Sequence, residues 1–115
     1  MTVLPLETES AASWLAALPG DSLALLYKHS PRCGVSFDAR LELDDLAATD
    51  PGLPVWQVDV VRQRALSEEF ARLLGIAHAS PQVILLQGGR PVWHTSHQRI
   101  TREALAARLE AARRS

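Results

Sequence analysis

Short apolar runs alternate along this chain with segments of helical spacing, and that alternation constrains the fold more than any other feature. The run Ser-Leu-Ala-Leu-Leu-Tyr at 22–27 is continuous rather than alternating, the pattern of a strand buried on both faces. Val55–Val61 is rich in β-branched residues and reads as a second strand. Gln82–Gln87 reads as a third. Gly88-Gly89 then turns the chain into Arg90–Thr95, so these two segments form a hairpin. A further short strand is expected around Thr2–Leu4.

Helical spacing fills the intervals. In Thr8–Leu18, Ala11, Trp14, Leu15 and Leu18 share a face, Thr8 or Ser10 can cap the start, and Pro19-Gly20 ends it. Gly34–Ala48 places Phe37, Leu41 and Ala48 near one face with Val35, Leu43 and Leu46 close by, and Asp50-Pro51-Gly52 closes it. Arg64–Leu74 is helical with Gly75 as its C-terminal cap. Thr101–Arg113 is the last helix, with Thr101 as N-cap and Ile100 and Leu105 at staple spacing. Strands joined by a helix are expected to be parallel with right-handed crossovers, and the final hairpin antiparallel. The element order is (β)α-β-α-β-α-β-β-α, an α/β chain.

The 115 residues suit one domain, 1–115, with a single modest core. A net charge of −1 offers no basic field for nucleic acid and no basic face for a membrane surface. No apolar run approaches the roughly 20 residues of a membrane span. Met1–Glu9 carries acids and no Lys or Arg, unlike the positive start of a secretory signal, so the expected compartment is the cytoplasm.

The sequence has one cysteine, Cys33. An intramolecular disulfide is impossible, and so is a cysteine-rich metal site within one chain. A lone cysteine is often a small buried hydrophobe; the surroundings here favour a reactive thiol instead. Cys33 lies between the first buried strand and the following helix, in Tyr27-Lys28-His29-Ser30-Pro31-Arg32-Cys33-Gly34-Val35-Ser36. The carboxyl ends of parallel strands are where α/β folds hold ligands. The unpaired first amides of a helix stabilise a thiolate, and a nearby cation does the same. Ser36 can add a hydroxyl hydrogen bond, and Lys28, His29 and Arg32 can add positive potential. Lys28 and His29 can equally be a solvated pair at a strand end.

The second chemical feature is Ser80-Pro81, directly before the Gln82 strand. The element order is that of the thioredoxin fold, a central mixed sheet flanked by helices. In that fold a cis-proline faces the active cysteine, and the residue before it, here Ser80, offers backbone groups to an extended substrate.

Three segments together resemble the monothiol bacilliredoxins. Lys28-His29-Ser30-Pro31-Arg32-Cys33-Gly34-Val35-Ser36 is similar to the family's active-site pattern of Lys-His-Ser, two variable residues, then Cys-Pro-Ile-Ser. His78-Ala79-Ser80-Pro81-Gln82-Val83 resembles its His-x-Ser-Pro-Gln segment. Gly88-Gly89-Arg90-Pro91-Val92-Trp93, with Ser96-His97 and Ile100-Thr101, resembles its C-terminal hairpin and helix start. Gly34 departs from the family's proline. Both residues suit a first helical turn, but proline presets its geometry. The departure brings Cys-Gly-Val-Ser close to the Cys-Gly-Phe-Ser of monothiol glutaredoxins, which hold an iron–sulfur cluster with glutathione. The glutaredoxin lysine lies farther upstream than Lys28, however, and Trp93–His97 stands where those proteins carry glycine-aspartate.

The resemblance implies a thiol–disulfide oxidoreductase in which the Cys33 thiolate removes bacillithiol from client proteins. Bacillithiol would be a co-substrate, with no tightly bound cofactor. A free thiol or another redoxin would then resolve Cys33, since no second cysteine exists. Arg32, beside the thiol, suits the carboxylates of such an anionic thiol. A glutaredoxin-like cluster carrier and a non-catalytic interaction module are the alternatives.

The remaining polar residues read more plainly. His78, His94 and His97 match no zinc spacing and are expected to be surface or hydrogen-bonding residues. Asp44 and Asp45 face water on a helix, and Asp59 is structural. Trp14, Trp56 and Trp93 are packing residues.

Overall fold

A computed structural model describes residues 3–114. The strands are β1 (Leu4–Pro5), β2 (Leu23–His29), β3 (Val55–Asp59), β4 (Gln82–Gln87) and β5 (Arg90–Ser96). The helices are α1 (Ala11–Ala16), α2 (Gly34–Thr49), α3 (Arg64–Leu74) and α4 (Arg102–Arg114), with a 3₁₀ turn at His97–Arg99. The strands form one sheet in the order β1-β3-β2-β4-β5. Thr2, part of the expected first strand, lies outside the described residues.

The local signals act as their chemistry requires. Ser10 caps α1 by accepting from the Ser13 amide at 3.1 Å. Thr8 spends its hydroxyl on the Ser10 carbonyl instead, so α1 begins later than the apolar spacing suggests. Gly75 takes the left-handed conformation, φ 67°, that ends α3. The Thr101 hydroxyl accepts from Ala104 at 3.2 Å, and Ile100 and Leu105 are both buried beside it.

The sheet carries a core on each face. Leu25, Tyr27, Val55, Val83 and Leu85 meet Ala39, Leu43, Leu46 and Ala47 of α2 and Leu105 and Leu109 of α4. Leu26, Val58, Ile84 and Leu86 meet Ala11 of α1 and Leu66 and Phe70 of α3. Trp14 closes the second core edge-on, 6.1 Å from Trp56 and 5.7 Å from Phe70 between ring centres. Both faces of β2 are covered, which is why its run is apolar without alternation.

Three expectations are corrected. β1 and β2 both run parallel to β3, but β4 runs antiparallel to β2; the strands joined by α3 therefore oppose each other. Chain continuity allows either direction, and the ladder with β2 selects this one. The inward face of α2 is Ser36, Ala39, Leu43, Leu46 and Ala47, whereas Phe37 and Leu41 are 56% and 65% exposed. Apolar residues lie all around this helix, so spacing alone supports more than one face. Finally, β2 runs two residues past Tyr27, so Lys28 and His29 belong to the sheet and are buried.

Candidate active site

The site begins where β2 ends. Ser30-Pro31-Arg32-Cys33 is a tight turn in which the Cys33 amide donates to the Ser30 carbonyl at 3.3 Å. Pro31 occupies the turn position its fixed φ favours. Cys33 is the N-cap of α2, extended at φ −124° and ψ 121°, and its carbonyl accepts from the Ser36 amide at 3.1 Å. The thiol is half-buried.

Its pKa is lowered below that of a free thiol. The largest cause is the Ser36 backbone amide; desolvation opposes it, and the Val35 amide and the Ser36 hydroxyl add to the lowering. The side chain makes no cap hydrogen bond, so these groups act chiefly on the anion. Ser36 is fully buried, and its Oγ accepts from the Ser30 amide at 3.2 Å. That leaves the hydroxyl proton free to be donated to sulfur. Replacing Ser36 with alanine is expected to raise the thiol pKa and to slow exchange at neutral pH a few-fold, roughly two- to tenfold. The pH profile of iodoacetamide alkylation measures this; an unmoved profile would assign the whole effect to the backbone amides.

A buried polar relay fixes the turn in place. The Tyr27 hydroxyl donates to the Ser36 carbonyl at 2.7 Å and lies 2.8 Å from His29 Nδ1. The hydroxyl has one proton, so the proton in the second contact belongs to His29. Burial raises the Tyr27 pKa and lowers that of His29; both groups are neutral at physiological pH. Phe37 stacks edge-on to His29 at 5.7 Å.

Lys28 points to the other face. It is fully buried, and Nζ donates to the Ser67 carbonyl at 3.0 Å and lies 3.5 Å from His78 Nδ1. The solvated alternative for the Lys28-His29 pair does not hold, because α3 covers one residue and α2 the other. Burial pulls the Lys28 pKa from 10.5 down to about 8. Between those values the folded state has shed a proton that the unfolded chain keeps, so stability from this group rises with pH. Urea midpoints of the wild type and Lys28→Met should therefore diverge in the wild type's favour between pH 8 and 10.5, by about 1–3 kcal/mol. A difference independent of pH would mean that Lys28 titrates normally.

The Ser80–Pro81 peptide bond is cis. Lys28 pairs with Gln82 in the β2–β4 ladder, which brings Pro81 alongside the end of β2, where the cysteine turn starts. The Pro81 carbonyl accepts from His97 at 3.0 Å, and His97 holds a left-handed φ of 56°. The Ser80 hydroxyl is buried with no partner among the described residues.

Arg32 and Gly34 are exposed. A β-carbon on Gly34 would meet nothing within 4 Å, so the position has room for a larger residue. Arg32 lines a cleft of about 380 Å³ with Val60, Val61, Arg64, Ser67, Glu68 and His78. Of these, only Arg32 is a site residue that the sequence points to. The signal for His78 is its place in the His78-Ala79-Ser80-Pro81-Gln82-Val83 segment; Arg64 and Glu68 carry no sequence signal that marks them. Asp59 is structural: its Oδ1 accepts from Val61 and Arg62, each at 2.9 Å. Among the described residues no three His, Cys, Asp or Glu side chains are grouped to hold a metal ion, and no helix is long and apolar enough to cross a membrane.

Fold and site together define a thioredoxin-fold thiol oxidoreductase with a single cysteine at a helix N-terminus. The sequence matches the monothiol bacilliredoxin family, BrxC, over residues 4–105, and the chain belongs to that family. Among solved structures it is similar to a protein with a thioredoxin fold at TM-score 0.81 and 21% identity, covering 92% of each chain. It is also similar to thioredoxin f from spinach chloroplast, TM-score 0.74 and 20% identity over 97% of this chain and 94% of that one. A third is reduced desulfothioredoxin from Desulfovibrio vulgaris Hildenborough, TM-score 0.73 and 20% identity over 96% and 99%. At these identities the likeness establishes the fold.

Proposed function

We propose that this protein removes bacillithiol from protein mixed disulfides through Cys33. The observation that carries the reading is the Cys33 thiol itself: half-exposed, at the N-cap of α2, with its anion favoured by the Ser36 and Val35 amides. Membership of the monothiol bacilliredoxin family supports bacillithiol as the thiol transferred.

In the first step the Cys33 thiolate attacks the bacillithiol sulfur of the capped client. The Sγ–S bond forms as the client disulfide breaks, and the client sulfur leaves with the electron pair and takes up a proton. The client is reduced and Cys33 carries the cap. A second thiolate, from free bacillithiol or another redoxin, then attacks the bacillithiol sulfur and releases Cys33. This displacement needs no bound cofactor. Ser80, ahead of Pro81, would offer its backbone to the client chain. The clients are proposed to be cytoplasmic proteins, with no nucleic acid or membrane in the cycle.

Intact mass tests the reading. Reduced protein is mixed separately with a bacillithiol-capped and a glutathione-capped test protein. Bacillithiol is expected on Cys33, with glutathione transferred far less. If neither cap moves and the client stays capped, the exchange reading fails, and an iron–sulfur carrier or an interaction module replaces it.

A further inference from the structure

The cleft beside the cysteine turn has a charge arrangement that the exchange chemistry does not use. It lies at the carboxyl ends of β2 and β3, between the Cys33 turn, the start of α3 and the loop leading to Pro81. Arg32 and Arg64 stand on its walls with Val60 and Val61, and Ser67 and His78 also line it. Beneath Ser67 and His78 is the buried Lys28 ammonium, which touches both.

Lys28 is the unexplained group. Among the described residues it has no carboxylate partner, and neither has Arg32. A buried cation without a counter-ion is expensive, and the Ser67 carbonyl at 3.0 Å with the longer contact to His78 Nδ1 at 3.5 Å leaves one of its three protons without a partner. The one acid on the cleft, Glu68, is held by Arg64 at 3.1 Å in a pair whose side chains are 81% and 60% exposed. Such a surface pair contributes little and yields readily to a competing anion. The volume, about 380 Å³, is that of a small-molecule site, and Arg32 is the residue next to the thiol.

We propose that this cleft binds the carboxylates of the low-molecular-weight thiol carried to and from Cys33, with Arg32 and Arg64 as the gripping guanidiniums and Lys28 as the buried counter-charge. The inference rests on the exchange reading and names the binding site of its co-substrate. It commits the ligand to being an anionic thiol of small-molecule size. A neutral disulfide would gain nothing from the cleft.

Two measurements test it. The first is the rate of Cys33 exchange with bacillithiol disulfide, which bears carboxylates, divided by the rate with neutral 2-hydroxyethyl disulfide. Arg32→Gln with Arg64→Gln is expected to lower this ratio about tenfold, equivalent to about 1.4 kcal/mol. Glu68→Gln, which removes the competing acid, is expected to raise it. A ratio that does not move in either variant overturns the cleft assignment while leaving exchange itself intact. The second measurement needs no exchange: S-methyl bacillithiol is titrated into Cys33→Ser protein and amide NMR shifts are followed. Shifts at Arg32, Ser67 and His78, weakened in the double arginine variant, support the site. Shifts elsewhere, or none at millimolar ligand, overturn it even if wild-type protein exchanges neither disulfide.

Discussion

Replacing Cys33 with serine is expected to abolish transfer of the thiol cap, leaving no adduct on the protein and the client fully modified. The chain has no other sulfur nucleophile, so nothing can substitute in the first displacement. A serine hydroxyl in the same place stays protonated at neutral pH, since the amides and hydroxyl that lower the thiol pKa act on a group that is already close to ionising. The fold should not change, because Cys33 is outside both cores and serine is itself a favoured N-cap. Intact mass against a capped client, with thermal unfolding of the same sample, separates the two effects. A Cys33→Ser protein that still uncaps its client would remove Cys33 from the chemistry.

The largest structural effect is expected at the hairpin turn. Gly88 and Gly89 have φ of 60° and 81°, the left-handed region that side chains avoid. Space is as restrictive as conformation. A β-carbon on Gly88 would fall 1.9 Å from the Gly20 carbonyl oxygen, and one on Gly89 2.5 Å from that of Leu15. Both obstacles are backbone and cannot swing aside. Moving the turn would also break the bond from the Gly88 amide to the Ser22 carbonyl, 2.9 Å long. Gly88→Ala should therefore cost about 3 kcal/mol or more, a fall in Tm of roughly 12 °C for a domain of this size. Gly52→Ala, where a β-carbon meets nothing within 4 Å, is the control and should stay within about 1 kcal/mol. Equal Tm values for the two variants would show that Gly88 is not packed against the Gly20 backbone.

Both predictions rest on features legible in the sequence, and so do most of the elements. Helix caps are local: Ser10, Thr101 and Gly75 act through groups a few residues away, and the positive φ of Gly88-Gly89 is a turn signal, although the backbone they press against, at Leu15 and Gly20, is distant in sequence. The reactive thiol is legible for the same reason, since the amides that lower its pKa belong to the next three residues. The burial of Lys28 is not legible in the same way. Lys28 is polar in sequence, and only the packing of α3 over β2 buries it against Ser67.

The sequence by itself determined the alternation of strands and helices, the single cysteine and its place at a helix start. Tertiary structure alone decided the rest. The direction of β4 depends on its ladder with β2, not on the helix before it. The inward face of α2 depends on which apolar residues meet the sheet, because Phe37 and Leu41 are as apolar as those that do. The cleft joins Arg32, Arg64 and His78, which are separated by tens of residues. Periodicity and capping report contacts within a few residues, and such long-range meetings exist only once β2, β3 and β4 have paired and α3 has packed on them.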